Sequence, residues 1–228
     1  SVKKSTLRPC NNDRMRLCAN QFLSHGPGEE PFRHNALGDC ASSKHQRIQI
    51  LHSMKRTVEP ELMLDEAQAE AYAQADFASA HDLYCQFFVE RFPQRLKKAR
   101  VLDLGCGPCD VTIRFAKAHP GYLFDAVDGS AAMLRFGGAA VRRAKLSKRI
   151  RRIEGLIPGA PIPRPHYDVI ISSSFLHHLH DPQVLWRTVR QYAKPGAMVF
   201  VTDLRRPASR AKARAIINRY AADEPLVL

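Results

Sequence analysis

The sequence predicts an α/β protein built on a doubly wound, mostly parallel sheet. From residue 99 onward, strand-like apolar stretches alternate with helix-like stretches along the chain. The strand-like stretches are apolar on both faces, which is typical of parallel strands covered by helices on each side. Two glycines spaced by one residue stand where the first of these strands runs into its helix, the place where such sheets bind ligands.

The part of the chain before this alternation divides into two. Residues 1–53 show no sustained period of 3.6 or 2, which predicts a poorly ordered extension. Residues 54–228 are predicted to form one domain. Its first segment is rich in Ala, Glu, Gln and Leu, so it predicts two leading helices that end at Pro93.

The predicted sheet elements then follow in regular order. Strands are expected over 99–106, 122–130, 149–156, 167–174 and 197–204, with helices over 110–121, 130–146, 181–196 and 209–225. Pro120 and Gly121 are expected to end the first of these helices, and Pro195 and Gly196 to end the third. The glycine pair at 137–138 is expected to interrupt the second.

Composition narrows the class of protein. Of the 228 residues 45% are apolar, yet no uncharged apolar run is long enough for a membrane span. The basic N-terminal segment lacks a following apolar stretch, which argues against a secretory signal and favours a cytoplasmic location.

The net charge of +13 is concentrated in 141–152 and 204–214. Such runs suit RNA phosphates, but without an RNA-binding aromatic pattern a solvated helix face is favoured.

The six cysteines show no paired metal-binding spacing. Cys106 and Cys109 form one Cys-x-x-Cys motif inside the glycine loop, and two reduced thiols are favoured there over a redox or metal pair. Cys10, Cys18 and Cys40 could join nearby histidines, although their spacings are irregular. No metal site is therefore expected.

The residues around the two glycines indicate the kind of ligand. Gly105 and Gly107 let the backbone turn tightly and approach a ligand closely. A dinucleotide fingerprint would need a third glycine at position 110, where the sequence has Asp110. A carboxylate at this helix N-terminus would repel a pyrophosphate, which argues against a dinucleotide.

Two carboxylates favour a different nucleoside. Asp103, at the end of a buried strand, suits a ligand that carries positive charge. Asp128 ends the second strand, where a carboxylate accepts hydrogen bonds from the two hydroxyls of an unphosphorylated ribose. A ribose without pyrophosphate and with a cationic tail describes S-adenosylmethionine.

Four segments, VLDLGCGPCD, AVDGSAAML, YDVIISSSFLHHLHDP and KPGAMVFVTDL, resemble the successive signature segments of class I S-adenosylmethionine-dependent methyltransferases. The resemblance covers roughly residues 55–228. It implies a Rossmann-like methyltransferase fold and methyl transfer from S-adenosyl-L-methionine to an acceptor, for which a small molecule is the leading expectation. It implies cofactor contacts from Asp103, Gly105, Cys106, Gly107, Asp128, Gly129, Met133, Gly155, Leu156 and Ser172.

The sequence departs from this family pattern at two positions. Cys109 stands where the family usually has the last glycine of the loop, so a side chain is expected at a position that favours positive φ. After the third strand the family often has Gly-Asp, and this chain has Gly155-Leu156. Backbone groups are therefore expected to hold the adenine edge.

Histidines follow the fourth predicted strand beside the expected acceptor site. Any of His177, His178 and His180 could take a proton from an acceptor, and His177 is the candidate named here. Capping of the next helix or lining of the pocket wall is favoured over this role. Tyr72 and Tyr84 could cover the cofactor, although helix packing is favoured.

The C-terminal end leaves a structural question. Class I methyltransferases usually continue with an antiparallel strand pair, which this chain lacks, so the fifth strand would be an open apolar edge. A truncated chain, a homodimer through that edge, or cover by the N-terminal extension would each resolve this. An RNA methyltransferase and a catalytically inactive scaffold protein with the same fold remain the alternative functions.

Overall fold

A computed structural model describes residues 16–22, 63–94, 96–163, 165–204 and 207–220. Six strands form one sheet: β1 (Arg16–Phe22), β2 (Ala99–Leu104), β3 (Tyr122–Asp128), β4 (Ile150–Glu154), β5 (Tyr167–Ser173) and β6 (Ala193–Leu204). The helices are α1 (Glu66–Gln74), α2 (Ala78–Arg91), α3 (Asp110–Ala118), α4 (Ala131–Arg143), α5 (Gln183–Tyr192) and α6 (Arg210–Tyr220), with a short 3-10 helix at Leu176–His178.

All the strand pairs are parallel, in the order β4-β3-β2-β5-β6-β1. Side chains from α2, α3 and α4 pack on one face around Phe88, Phe115 and Phe200. Residues of α5, such as Leu185, pack on the other face. Burying each of these large side chains contributes about 1.5–3 kcal/mol. The predicted doubly wound α/β fold is confirmed.

The free edge of β6 is covered from within the chain. β1 pairs with β6 in a continuous parallel register from Arg16 opposite Met198 to Phe22 opposite Leu204. Cover by the N-terminal extension is therefore the arrangement that the structure contains. The rest of residues 1–53, with the histidines of the alternative metal cluster, lies outside the described residues, and the boundary at 53/54 stays a prediction.

Two predicted helix details are wrong. α4 runs without interruption through Gly137 and Gly138. Neighbouring groups occupy the space that side chains would need at both positions, so the two glycines allow close packing and do not break the helix. α5 ends at Tyr192, before Pro195, and β6 begins directly at Ala193. The register between β5 and β6 shifts at this point, and a bulge of this kind accommodates a proline inside a strand.

Among the described residues, no helix combines the length and the apolar composition needed to cross a bilayer.

Candidate functional site

A cavity of about 1290 Å³ opens at the carboxyl ends of the strands. Its walls come from the β2–α3 loop, the ends of β3 and β4, the segment after β5, and the leading helices α1 and α2. Ligand pockets usually measure about 300–1,000 Å³. The cavity is therefore large enough for a nucleoside together with a second small molecule.

The glycine loop forms one wall, and its backbone is fixed by β3. The N–H groups of Gly105 and Cys106 both donate to the carbonyl of Val127, at 2.9 and 3.0 Å. Gly105 has φ +76°, and a Cβ there would lie 2.3 Å from the ring of Phe175. A glycine is required at 105, because the segment after β5 packs directly against the loop.

The expected positive φ at Cys109 is confirmed at 64°. Cys109 immediately precedes α3 and is fully buried. Gly137 on α4 faces it, and a Cβ at Gly137 would lie 2.9 Å from the Cys109 Sγ and 3.2 Å from the backbone of Pro108. The side chain that departs from the family pattern thus fits because the neighbouring helix has a glycine opposite it.

Asp128 holds the loop and faces the cavity. Its Oδ2 accepts the N–H of Gly107 at 2.8 Å, and its Oδ1 accepts the N–H of Ser130 at 2.8 Å. Burial raises the pKa of this carboxyl, and these hydrogen bonds act in the opposite direction. A carboxylate fixed in this way keeps lone pairs available for hydroxyl donors.

Asp103 is the second carboxylate in the cavity wall. It is 3% exposed, and its Oδ2 accepts the hydroxyl of Thr112 at 2.6 Å. Burial raises the pKa of Asp103 to about 7, the Thr112 hydrogen bond opposes this, and the charge of Asp128 adds to it. A cationic ligand group beside Asp103 would compensate for the buried negative charge.

Asp110 forms ion pairs with side chains of the protein. Its Oδ2 lies 2.6 Å from Nδ1 of His81 and 2.7 Å from Nε of Arg114. The hydrogen bond from His81 is the main reason that the pKa of Asp110 falls to about 2, with Arg114 contributing. Arg114 also pairs with Asp82, so the network ties α2 to α3 at the cavity.

His81 and Arg114 line the cavity and were missed by sequence reasoning. The spacing of Asp110 and Arg114 at i and i+4 was a readable signal for their ion pair. His81 lies 29 residues from its partner, and no local pattern points to that contact.

The structure brings most of the predicted cofactor residues to one cavity. The residues that line it are Asp103, Gly105, Cys106, Gly107, Asp128, Gly129, Met133, Gly155 and Leu156. Ser172 does not line it, because its hydroxyl donates to the carbonyl of Leu104 at 2.8 Å inside the sheet. The N–H of Gly155 already donates to the carbonyl of Asp128 at 2.9 Å, so any contact to an adenine edge must use other groups.

The histidines after β5 occupy different positions. His178 and His180 line the cavity, whereas His177 is absent from its lining residues. Nδ1 of His177 lies 2.6 Å from Oδ1 of Asp203, and its ring centroid is 4.0 Å from that of His178. The sequence pattern did not separate these neighbours.

The two candidate lid tyrosines also differ. Tyr72 on α1 lines the cavity. Tyr84 is 1% exposed, and its hydroxyl donates to the carbonyl of Phe200 at 3.2 Å, so it belongs to the core beneath the sheet face.

Three arginines of the basic run 141–152 are used within the domain. Arg149 donates to the carbonyls of Ala116, His119 and Tyr122 at 2.6–3.0 Å. Arg151 pairs with Asp125, and Arg152 donates to the carbonyl of Leu134. Much of this run therefore holds β4 in place, which reduces the charge available for an external anion.

Comparison with known proteins finds similarity in the part of the chain that carries these residues. The family described as "Methyltransferase domain" matches residues 102–199, the segment that carries the glycine loop, Asp128 and the histidines after β5. Over these residues, which make up less than half of the chain, the protein is similar to a methyltransferase domain.

Curated relatives include an uncharacterized methyltransferase of Schizosaccharomyces pombe. It is 30% identical over 109 residues, which is 45% of this chain and 39% of the relative. A ubiquinone/menaquinone biosynthesis C-methyltransferase of Vibrio vulnificus is 27% identical over 110 residues, 47% of this chain and 42% of the relative. The matched part spans less than half the length of both relatives.

A solved structure with the same fold is a proposed S-adenosyl-L-methionine-dependent methyltransferase of Methanococcus maripaludis. The TM-score is 0.59 at 20% identity, and the superposition covers 72% of this chain and 76% of that one. At this identity the similarity concerns the fold alone.

Proposed function

We propose that the domain binds S-adenosyl-L-methionine in the cavity described above and transfers its methyl group to a small-molecule acceptor. The observation that carries the proposal is the pair of carboxylates Asp103 and Asp128, which end neighbouring strands on either side of the glycine loop and line one cavity. The matched family and the relatives named as methyltransferases support the same reaction class.

The residues present fit this cofactor. Asp128 offers carboxylate oxygens for a ribose diol, and the buried Asp103 suits the ammonium of an amino-acid tail. A Cβ at Gly107 would meet nothing within 4 Å, so the loop backbone is open to close approach by a ligand. When bound, the cofactor supplies a sulfonium methyl group, which is intrinsically electrophilic.

The protein's own contribution is alignment and exclusion of water. Placing an acceptor atom about 3–3.5 Å from the methyl carbon, in line with the bond that breaks, removes much of the entropic barrier. Phe175 and Leu179 contribute apolar surface to the cavity wall. Since positive charge disperses as the methyl group moves, a dry wall favours the transition state over the charged reactant.

For the proton of the acceptor we propose His178 as the group in contact, because its side chain lines the cavity. His177, the residue named from the sequence, stands behind it, with Asp203 fixing its ring. His177 is then a positioning residue for His178. General-base assistance of this kind contributes about 10²–10⁴ in rate.

Titration calorimetry with S-adenosylhomocysteine and with NAD tests the proposal. We expect binding of the first and none of the second. Asp128→Ala should weaken binding about 100-fold, because hydrogen bonds to a charged group contribute about 1.5–3 kcal/mol each. Glu90→Gln, an exposed carboxylate on α2 away from the cavity, is the matched control and should leave the affinity unchanged.

Two alternative functions can be tested by further measurements. Absence of heat with S-adenosylhomocysteine would support a scaffold protein that retains the fold. An RNA acceptor would require association with tRNA or rRNA that weakens steeply as salt rises. A flat salt response removes that alternative.

A further inference from the structure

We propose that Cys106 and Cys109 form a reversible disulfide within the glycine loop, and that its formation and cofactor binding oppose each other. The first half of this proposal concerns the two thiols alone. The second half rests on the proposed function, since it requires the cofactor to occupy the cavity that Cys106 lines.

The two sulfur atoms are already close together. The Cys106 Sγ and the Cys109 Sγ lie 3.8 Å apart, and the N–H of Cys109 donates to the carbonyl of Cys106 at 2.9 Å. That bond closes a four-residue turn, whose end Cα atoms lie within about 7 Å. A disulfide spans Cα separations of about 4.4–6.8 Å, so side-chain rotation with a small adjustment of the turn brings the sulfurs into bonding distance.

The position of the two cysteines in the fold also supports a disulfide. Cys106-Gly107-Pro108-Cys109 follows a strand and immediately precedes α3, which is the Cys-x-x-Cys placement of dithiol redox motifs. The sequence alone favoured two loop thiols that stay reduced. The hydrogen-bonded contact between the sulfur atoms is the observation that changes this interpretation.

Access to the pair runs through the cofactor cavity. Cys109 is fully buried, whereas Cys106 is 8% exposed and lines the cavity. An oxidant entering the cavity therefore reaches Cys106 first, and a bound nucleoside would exclude it. Burial raises the pKa of the Cys106 thiol, so the reaction should be slow at neutral pH and faster as the pH rises.

The chemistry balances with a low-molecular-weight disulfide as oxidant. The Cys106 thiolate attacks glutathione disulfide, forming a mixed disulfide and releasing one glutathione. Cys109 then attacks the Cys106 sulfur and releases the second glutathione. The two protein thiols lose two electrons and two protons. These electrons and protons end on the two glutathione thiols that are released.

The disulfide would act on the cofactor site through Gly107. This residue lies between the two cysteines, and its N–H donates to Asp128, the proposed ribose ligand. Shortening the sulfur separation to about 2.05 Å must move the turn that aims this N–H. We expect the oxidised protein to bind S-adenosylhomocysteine about tenfold or more weakly. By reciprocity, saturating ligand should raise the reduction potential of the pair by about 30 mV for each tenfold.

Glutathione redox buffers test the first half. Trypsin releases residues 101–114 as one peptide that contains both cysteines of the pair and no other. In the ligand-free protein, oxidising buffer should make this peptide lighter by two hydrogen atoms, reversibly with reduced glutathione. If the peptide keeps its reduced mass in every buffer up to pH 9, the proposed disulfide is wrong.

Two variants identify the reacting residues. Cys109→Gly removes the resolving thiol and should stop the reaction at a glutathione adduct on Cys106, and its thermal unfolding reports whether it folds. Cys109→Ser provides the same test if the glycine variant does not fold. Cys85→Ser, a thiol on α2 that does not line the cavity, is the control and should leave the response intact.

Saturating S-adenosylhomocysteine tests the second half. The proposal expects a higher potential and slower oxidation of the 101–114 peptide. Equal oxidation with and without a ligand that calorimetry shows to be bound would overturn the coupling. If calorimetry shows no binding to the reduced protein, the proposed function fails, and the peptide mass still decides whether the disulfide exists.

Discussion

Asp203 at the end of β6 holds His177 by two hydrogen bonds. Its Oδ1 lies 2.6 Å from Nδ1 of the imidazole, and its Oδ2 accepts the backbone N–H of His177 at 3.2 Å. Both side chains are largely buried, at 11% and 23% exposure. One carboxylate therefore fixes the segment after β5, which contains the proposed proton acceptor His178.

Asp203→Ala should destabilise the protein, because it leaves both donors of His177 without their acceptor. Hydrogen bonds to charged groups contribute about 1.5–3 kcal/mol, so we expect a loss of roughly 2 kcal/mol in the free energy of unfolding, measured by urea denaturation. Glu66→Ala removes the exposed ion pair with Arg135 and should change stability by less than about 0.5 kcal/mol. Equal effects of the two variants would contradict the clamp.

Binding of S-adenosylhomocysteine should depend on the ionisation of Asp103. The pKa of about 7 means that the carboxyl is mostly protonated at pH 6 and mostly ionised at pH 8. Since the ligand's ammonium group prefers the carboxylate, affinity should rise with pH, by about tenfold between pH 6 and pH 8. Calorimetry at several pH values measures this.

Asp103→Asn is the control for that pH dependence. The variant should bind more weakly and show a flatter profile, because it has no titrating group at this position. An unchanged slope in Asp103→Asn would show that Asp103 is not the source of the pH dependence.

Gly137 and Cys109 should be energetically coupled. Gly137→Ala introduces a Cβ 2.9 Å from the cysteine sulfur, and overpacking of this kind costs about 1–3 kcal/mol. Cys109→Gly removes that sulfur, so the double variant should recover part of the loss. Urea denaturation of the four proteins gives the coupling energy. Gly138→Ala is the matched control, since its nearest neighbour is the end of the Arg152 side chain. Strict additivity at 109 and 137 would disprove the contact.

Asp110 should contribute acid-sensitive stability. Its folded pKa of about 2 lies below the unfolded value of about 3.9. Its contribution is therefore present above about pH 4 and is lost as the pH falls towards 2. The group is nearly half exposed, so solvent screening limits the effect to about 1 kcal/mol or less. The urea midpoints of Asp110→Asn and the unmodified protein should differ less at pH 2.5 than at pH 5; a constant difference would count against the ion-pair origin.

Much of the fold and part of the site follow from local sequence patterns. The alternation of apolar and amphipathic segments predicted the sheet and its helices, because side-chain periodicity depends only on neighbouring residues. Asp103 and Asp128 could be placed together, because the carboxyl ends of neighbouring parallel strands meet at one edge. The positive φ at Cys109 was readable from the family pattern, which usually has a glycine at this position.

The sequence by itself therefore determined the α/β class, the end of the sheet where the cavity opens and the two carboxylates in its wall. Only the tertiary structure decided that β1 covers β6, that His81 holds Asp110, that His178 lines the cavity in front of His177, and that Gly137 makes room for Cys109. Each of these depends on residues distant in the chain or on which way one side chain faces. Contacts between distant residues and the direction of a single side chain leave no periodic pattern in the sequence, because they are set only when packing brings separate elements together.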